Sequence, residues 1–338
     1  MAERYAVANG NWSDTATWDG GTLPTAADDV HSNNYAVTID QDITVVSLKA
    51  IAGSTAVAGG YFTTSGSRTI TVTDAVYGYT ASGGSLRINS GSHLYGDAKE
   101  SAATTRASVQ INDGGQMTGD AFDSDAVYVV AGGIFTGNAS MATASRNSYS
   151  VRIYTGGKMI GNATGGVRGV GAVQNYGIMI GNTTGGSVAN AYGALVQYGG
   201  LHIGDSLGGT TSITPGTDIR IGGRMYGNST GSANSVGARV LSGGIFVGDA
   251  TGGTASNCHG VDISQGLAVV GTATGNTANA FGVYSSGANI TVTIENEVGS
   301  YAKSLDAGTY TTYDDEWNWL NTVSPTSTLH PLYATGRS

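Results

Sequence analysis

The chain has 338 residues, a formal net charge of −9, only 12% charged residues and 55 glycines against four prolines. An ordinary soluble domain carries about 25% charged residues, so solubility must come from Ser, Thr, Asn and backbone amides. A 40% hydrophobic fraction argues against disorder, the scattered 15 basic residues argue against nucleic-acid binding, and one cysteine excludes an internal disulfide framework.

No apolar run approaches the roughly 20 residues that span a bilayer, so no membrane partner is expected. The opening MAERYAVANGNWS lacks the charged-then-apolar order of a secretory signal.

In chain order, residues 1–80 hold Trp12 and Trp18 and the strand-like runs YAVTID, ITVVSLKAI and RTITVTDAV. Their spacing differs from that of the central residues and predicts a separate or capping β module. From Gly96 onward a period takes over. A Gly followed by Asn, Asp or Thr recurs at 96, 119, 137, 161, 181, 204, 227, 248 and 271, in steps of 18 to 24 residues. A fixed frame precedes most of these markers: GGQMTG, GGIFTG, GGKMIG, YGIMIG, GGLHIG, GGRMYG and GGIFVG.

Within the frame the middle residue is Met117, Phe135, Met159, Met179, His202, Met225 or Phe246, while its neighbours include Gln116, Lys158 and Arg224. Alternation of this kind is a strand with the Met/Phe position inward. Upstream lies a second alternating segment (SVQIND, AVYVVA, SVRIYT, GARVLS, GVDISQ) that would bury Val109, Ile111, Val127, Val129, Val151 and Ile153 and expose Gln110, Arg152, Arg239 and Asp262. Two short strands per repeat are predicted, with room for a third. The polar stretch after each marker reads as the turn into the next coil, its glycines supplying positive φ.

Glycine at this density, costing about 1 kcal/mol per helical position, contradicts helical repeats, and the Leu spacing of leucine-rich repeats is missing. The expected fold is therefore all-β: a parallel β-helix (β-solenoid) of about nine coils over 81–290, stacked at about 4.8 Å per coil into a rod on the order of 40 Å long. Residues 291–338 hold Trp317, Trp319 and the acidic run YDDEWNW and read as an irregular C-terminal cap or docking segment. Terminal repeats must cover an open core and an unpaired edge, so capping is favoured for Trp12, Trp18, Trp317 and Trp319, with attachment to another protein as the sharper reading.

Asp97, Asp120, Asp205 and Asp249 form what looks like a ladder of carboxylates, but the same position is Asn138, Asn162, Asn182 and Asn228 in neighbouring repeats. Free Asp/Asn exchange does not suit catalysis or calcium; it suits an Asx side chain bonding nearby backbone at a turn. Asp218, Asp262 and Asp249 stay weak candidates for an acid–base pair, because adjacent coils meet the required spacing of about 5 to 9.5 Å. The histidines at 31, 93, 202, 259 and 330 show no metal-ligand spacing, and Cys258-His259 reads as a turn. His202, at the Met/Phe position, reads as a core histidine with one satisfied ring nitrogen. Asn-x-Ser/Thr triplets at Asn11, Asn138, Asn162, Asn182, Asn228 and Asn289 read as turns, four of the six being by-products of the repeat consensus. No catalytic residue, metal or cofactor is expected. Tyr95, Tyr154, Tyr198, Tyr226 and Tyr284 are outward rings able to stack against sugars or to be buried between rods of an oligomer.

The stretch NGNWSDTATWDGGTLPTAADDV, residues 9–30, with Gly10, Trp12, Ser13, Asp14, Trp18, Gly20, Gly21, Pro24 and Asp29, resembles the opening of glycine-rich β-helical surface proteins. These include the eight-glycine domain of extracellular proteins and, more closely in overall look, bacteriophage virion proteins. The resemblance implies a non-enzymatic virion protein, assembled in the host cytoplasm as a homotrimer and bound to major capsid or tail proteins. A decoration protein or fibre at the capsid surface is favoured. The alternative is a tail fibre or tailspike that binds or cleaves a host surface glycan, but the chain has neither the long coil insertions nor the acidic cluster of cleaving tailspikes. A bacterial adhesin, the third class weighed, calls for an export signal.

Overall fold

The computed structural model describes residues 2–50, 60–78, 85–100, 107–122, 126–140, 149–165, 173–186, 192–209, 215–254, 258–275, 283–285 and 290–298, and the strand segments 304–305, 308–312, 323–324 and 327–329. The fold is an all-β parallel β-solenoid of about nine turns. Two compact units, one of residues 1–143 with 148–162 and one of residues 144–147 with 163–338, are each built of stacked coils. Among the described residues the only helices are two single 3-10 turns, Thr15–Thr17 and Asp19–Gly21.

In the first unit a representative coil runs through three strands: Val109–Ile111, then Gln116–Thr118, then Ala121–Phe122. The next coil repeats them at Val127–Val129, Ile134–Thr136 and Ala139–Ser140. The pairing is parallel and in register, with Val109 opposite Val127, Met117 opposite Phe135 and Ala121 opposite Ala139. Like residues stack on like, so the alternation along each strand becomes a column along the stack. Met117, Phe135 and Met159 are buried, as are Val109, Ile111, Val127, Val129, Val151 and Ile153. Each contributes about 1.5–3 kcal/mol of hydrophobic stabilisation.

The third strand sits where the sequence suggested the start of a polar crossing. Its inward residues are small: Ala121, Ala139 and Ala163 in successive repeats, then Thr183, Ser206, Ser229 and Ala250, all buried. The marker glycine is the bend between the second and third strands and does not end the sheet. At Gly119 the backbone has φ 149° and a Cβ would lie 2.1 Å from the Gly96 carbonyl oxygen; at Gly227, with φ 144°, it would lie 2.2 Å from that of Gly204. Neither the dihedral nor the space admits a side chain.

Residues 1–80 continue the same two sheets. Ala36–Ile39, Tyr61–Thr64 and Leu86–Ile88 pair in succession, and so do Asp28–His31, Ile43–Lys49, Thr69–Gly78 and His93–Glu100. What differs is the coil: in Ile43–Lys49 and Thr69–Gly78 one long strand takes the place of the pair around a glycine bend. Trp12 and Trp18 are each 1% exposed. Their rings meet edge to face at 4.8 Å, with Phe62 6.2 Å from Trp12, and the Trp18 indole N–H donates to the Trp12 carbonyl. These two rings present no face to a partner.

In the second unit the core is Ile219, Met225, Ala238, Val240, Phe246, Ala250, Val261, Ile263, Ala268 and Ala273. Interior hydroxyls find partners across it: Ser206 donates to the Gly216 carbonyl at 2.6 Å and Ser229 to that of Gly237 at 2.7 Å. Toward the C-terminus, Gly308–Thr312 pairs parallel with Ile290–Val298, and Ser327–Leu329 pairs parallel with Gly308–Thr312 and antiparallel with Val323–Ser324. Trp317, Trp319 and the YDDEWNW run lie outside the described residues, as do Asn289 and His330.

Candidate functional site

The repeated Asx residue stands just after the glycine bend, and its side chain bonds the next coil, not local backbone as the turn reading supposed. In the first unit Asp97 Oδ1 accepts from the Asp120 N–H at 2.9 Å, Asp120 Oδ1 from Asn138 at 2.8 Å, and Asn138 Oδ1 from Asn162 at 3.2 Å. In the second unit Asn182 Oδ1 accepts from the Asp205 N–H, Asp205 from Asn228, Asn228 from Asp249 and Asp249 from Thr272, at 2.9, 2.9, 3.1 and 2.7 Å. The positive-φ glycine turns this N–H out of the sheet ladder, and the Asx oxygen one coil away replaces the lost partner. One oxygen suffices for this bond, which is why Asp and Asn alternate freely.

Beside the ladder in the second unit runs a groove of about 270 Å³, lined by Asn182, Thr183, Thr184, Asp205, Ser206, Leu207, Asn228 and Thr230. None of the five outward tyrosines lines it.

A different arrangement occupies the outer face of the other sheet. There the in-register column runs Leu195, Asp218, Arg239, Asp262, Tyr284. Asp218 is 0% exposed. Its Oδ2 accepts from Nη2 of Arg220, two residues on, and from Nη2 of Arg239, one coil on. The Tyr192 ring covers both guanidiniums at 6.0 and 5.8 Å, and its hydroxyl takes a weak bond from each, at 3.4 and 3.3 Å. Burial pushes the Asp262 carboxyl above its ordinary range; Asp218 adds to this and Arg239 opposes it. Sequence reasoning grouped Asp218 with Asp262 and Asp249 as acid–base candidates, noted Arg239 only as an outward residue, and did not join it to them. Aligning repeats on the glycine frame would have put Asp218, Arg239 and Asp262 in one column.

As an acid–base set these carboxylates are poorly placed. Asp218 has no exposed surface from which to reach a substrate and is already bonded to two cations, while Asp249 belongs to the ladder of the other sheet. His202 lies in the core at 0% exposure, between Met179 and Met225. Its Nε2–H donates to the Gly181 carbonyl at 2.9 Å, Nδ1 has no partner, and burial lowers its pKa to about 4. Cys258 is buried and His259 stacks on Tyr284 with centroids 4.6 Å apart. Among the described residues no group of three His, Cys, Asp or Glu could hold a metal, and no helix is long and apolar enough to cross a membrane.

The tyrosines are scattered. In the first unit Tyr95 is 45% exposed and stacks on His93 at 4.0 Å, while Tyr154 is half-buried against Tyr128. In the second, Tyr198 lies in the turn before Leu201–Ile203 near Tyr176, Tyr226 on the glycine-bend sheet and Tyr284 on the other sheet. Two exposed apolar residues share the sheet with Tyr226 instead: Ile203 pairs directly beside it, and Ile178 stands on the strand before Ile203, opposite the half-buried Leu201, while the half-buried Val247 pairs with Tyr226 on its far side. Comparison with known proteins returns no match: no family model, no curated protein and no solved structure is similar to this chain.

Proposed function

We propose that the chain is a non-enzymatic structural protein of a bacteriophage virion, a decoration protein or fibre at the capsid surface, assembled in the host cytoplasm. The observation that carries the reading is the use made of its acids. Those that repeat tie each coil to the next, and the buried Asp218 is neutralised by arginines, so these acids serve to hold the stack together. The resemblance at residues 9–30 supplies the virion setting. The exposed apolar residues Ile178, Ile203 and Tyr226 support assembly into a homotrimer and contact with capsid or tail proteins, since exposed apolar clusters mark interaction surfaces.

The test is to locate the chain on an intact particle by labelling and to image particles that lack it. Density lost from the head supports the reading, density lost from the tail gives the fibre or tailspike alternative, and no loss from either overturns it. A trimer in sedimentation is expected; a monomer at micromolar concentration counts against the assembly.

A further inference from the structure

In the second unit two ladder side chains, Asp205 and Asn228, each keep one atom uncommitted to the ladder bond. Asp205 uses Oδ1 on the Asn228 N–H and keeps Oδ2; Asn228 uses Oδ1 on the Asp249 N–H and keeps the Nδ2 amide. An acceptor and a double donor therefore follow each other one coil apart along the groove, at a step of about 4.8 Å. The half-buried hydroxyls of Thr184 and Thr230 and the 46% exposed Leu207 complete the lining. Each hydroxyl can both donate and accept, and Leu207 offers an apolar contact between them.

We propose that this groove binds an extended, uncharged glycan lying along the stack. A repeating line of donors, acceptors and hydroxyls with one apolar contact matches a polymer whose units repeat hydroxyl groups on a carbon frame, since pockets of this kind fix orientation with a few placed polar groups. The acceptor-only carboxylate of Asp205 in the groove, on a chain of net charge −9, repels uronic, sialylated or phosphorylated chains. The proposal rests on the glycan-binding alternative and deepens it by naming the site and the class of sugar; it is tested on the purified chain, so it can fail while the location of the chain on the particle stands.

The experiment is calorimetric titration of the full chain with maltohexaose, cellohexaose, mannohexaose and chitohexaose, and with hexagalacturonate as the acidic control. Binding of at least one neutral hexasaccharide and none of the acidic one is expected. Asp205→Asn keeps the ladder bond, because neighbouring coils carry Asn there, and replaces the free acceptor with a donor. It should weaken binding about tenfold, the equivalent of one hydrogen bond to a charged group, without moving the melting temperature. Asn228→Asp, which makes the reverse swap, should also weaken it, and Asp120→Asn in the first unit should leave it unchanged. No binding by any neutral probe, equal binding of the acidic one, or wild-type affinity in Asp205→Asn overturns the proposal.

Discussion

Two sets of acids in the second unit contrast in every physical respect. Asp205 and Asp249 are exposed, recur at a fixed place after a glycine and accept a backbone N–H from the following coil. Asp218 is buried, stands once and bonds two guanidiniums under a tyrosine ring. The first arrangement asks only for an oxygen, so Asn replaces Asp without loss. The second needs the charge, because the half-buried Arg220 and Arg239 would otherwise converge on a neutral group and be left uncompensated. An acid's role in a solenoid is thus set by which column it joins.

The contrast breaks most severely at the glycine that makes the ladder possible. Gly227→Ala would force a Cβ to within 2.2 Å of the Gly204 carbonyl at φ 144°. Adding backbone strain to overpacking predicts a loss of about 4 kcal/mol, read from the urea midpoint with an unchanged slope. Next comes Asp218→Ala. It should cost about 3 kcal/mol, the lower end for a broken buried pair because both arginines keep some solvent contact, and the triple change Asp218→Leu, Arg220→Met, Arg239→Met should recover most of it. If the single variant is as stable as wild type, the cluster is not a buried ion pair in solution.

His202 sharpens the comparison from the interior, where burial acts with no counter-charge in contact. Its folded pKa of about 4 lies below the unfolded value near 6.5, so the unfolded chain binds the extra proton first. Stability should fall as pH drops from about 6.5 to about 4, by about 3 kcal/mol, and level off below. His202→Met, which extends the Met179 and Met225 column, should remove this pH dependence in melting experiments at pH 7 and pH 4.5. A wild-type slope in the variant would assign the effect elsewhere.

The inward column was legible because Met117, Phe135 and Met225 sit mid-frame between residues that tolerate Gln, Lys and Arg, and His202 could be placed in the core by position alone. The third strand was not. It is two residues long in most coils, and its buried members are Ala, Ser and Thr, which show no apolar alternation against a polar background. The continuation of the sheets into residues 1–80 was hidden because those coils lack the glycine bend that marks the period. The Asp218 cluster was hidden because its partners lie 2 and 21 residues away, on outward positions that the alternation pattern labels only as polar. The ladder's residues were found but its direction was not, since a bond between residues 23 apart looks local only after the coils are stacked.

That the repeated Asx side chain links coils is tested most directly by amide hydrogen exchange at Asn228. In the wild type this N–H, held by Asp205 Oδ1 at 2.9 Å, should be protected. Asp205→Ala should strip that protection and cost about 1 kcal/mol, while Asp205→Asn should retain both. Equal protection in all three proteins, or equal loss in the two variants, would contradict the account.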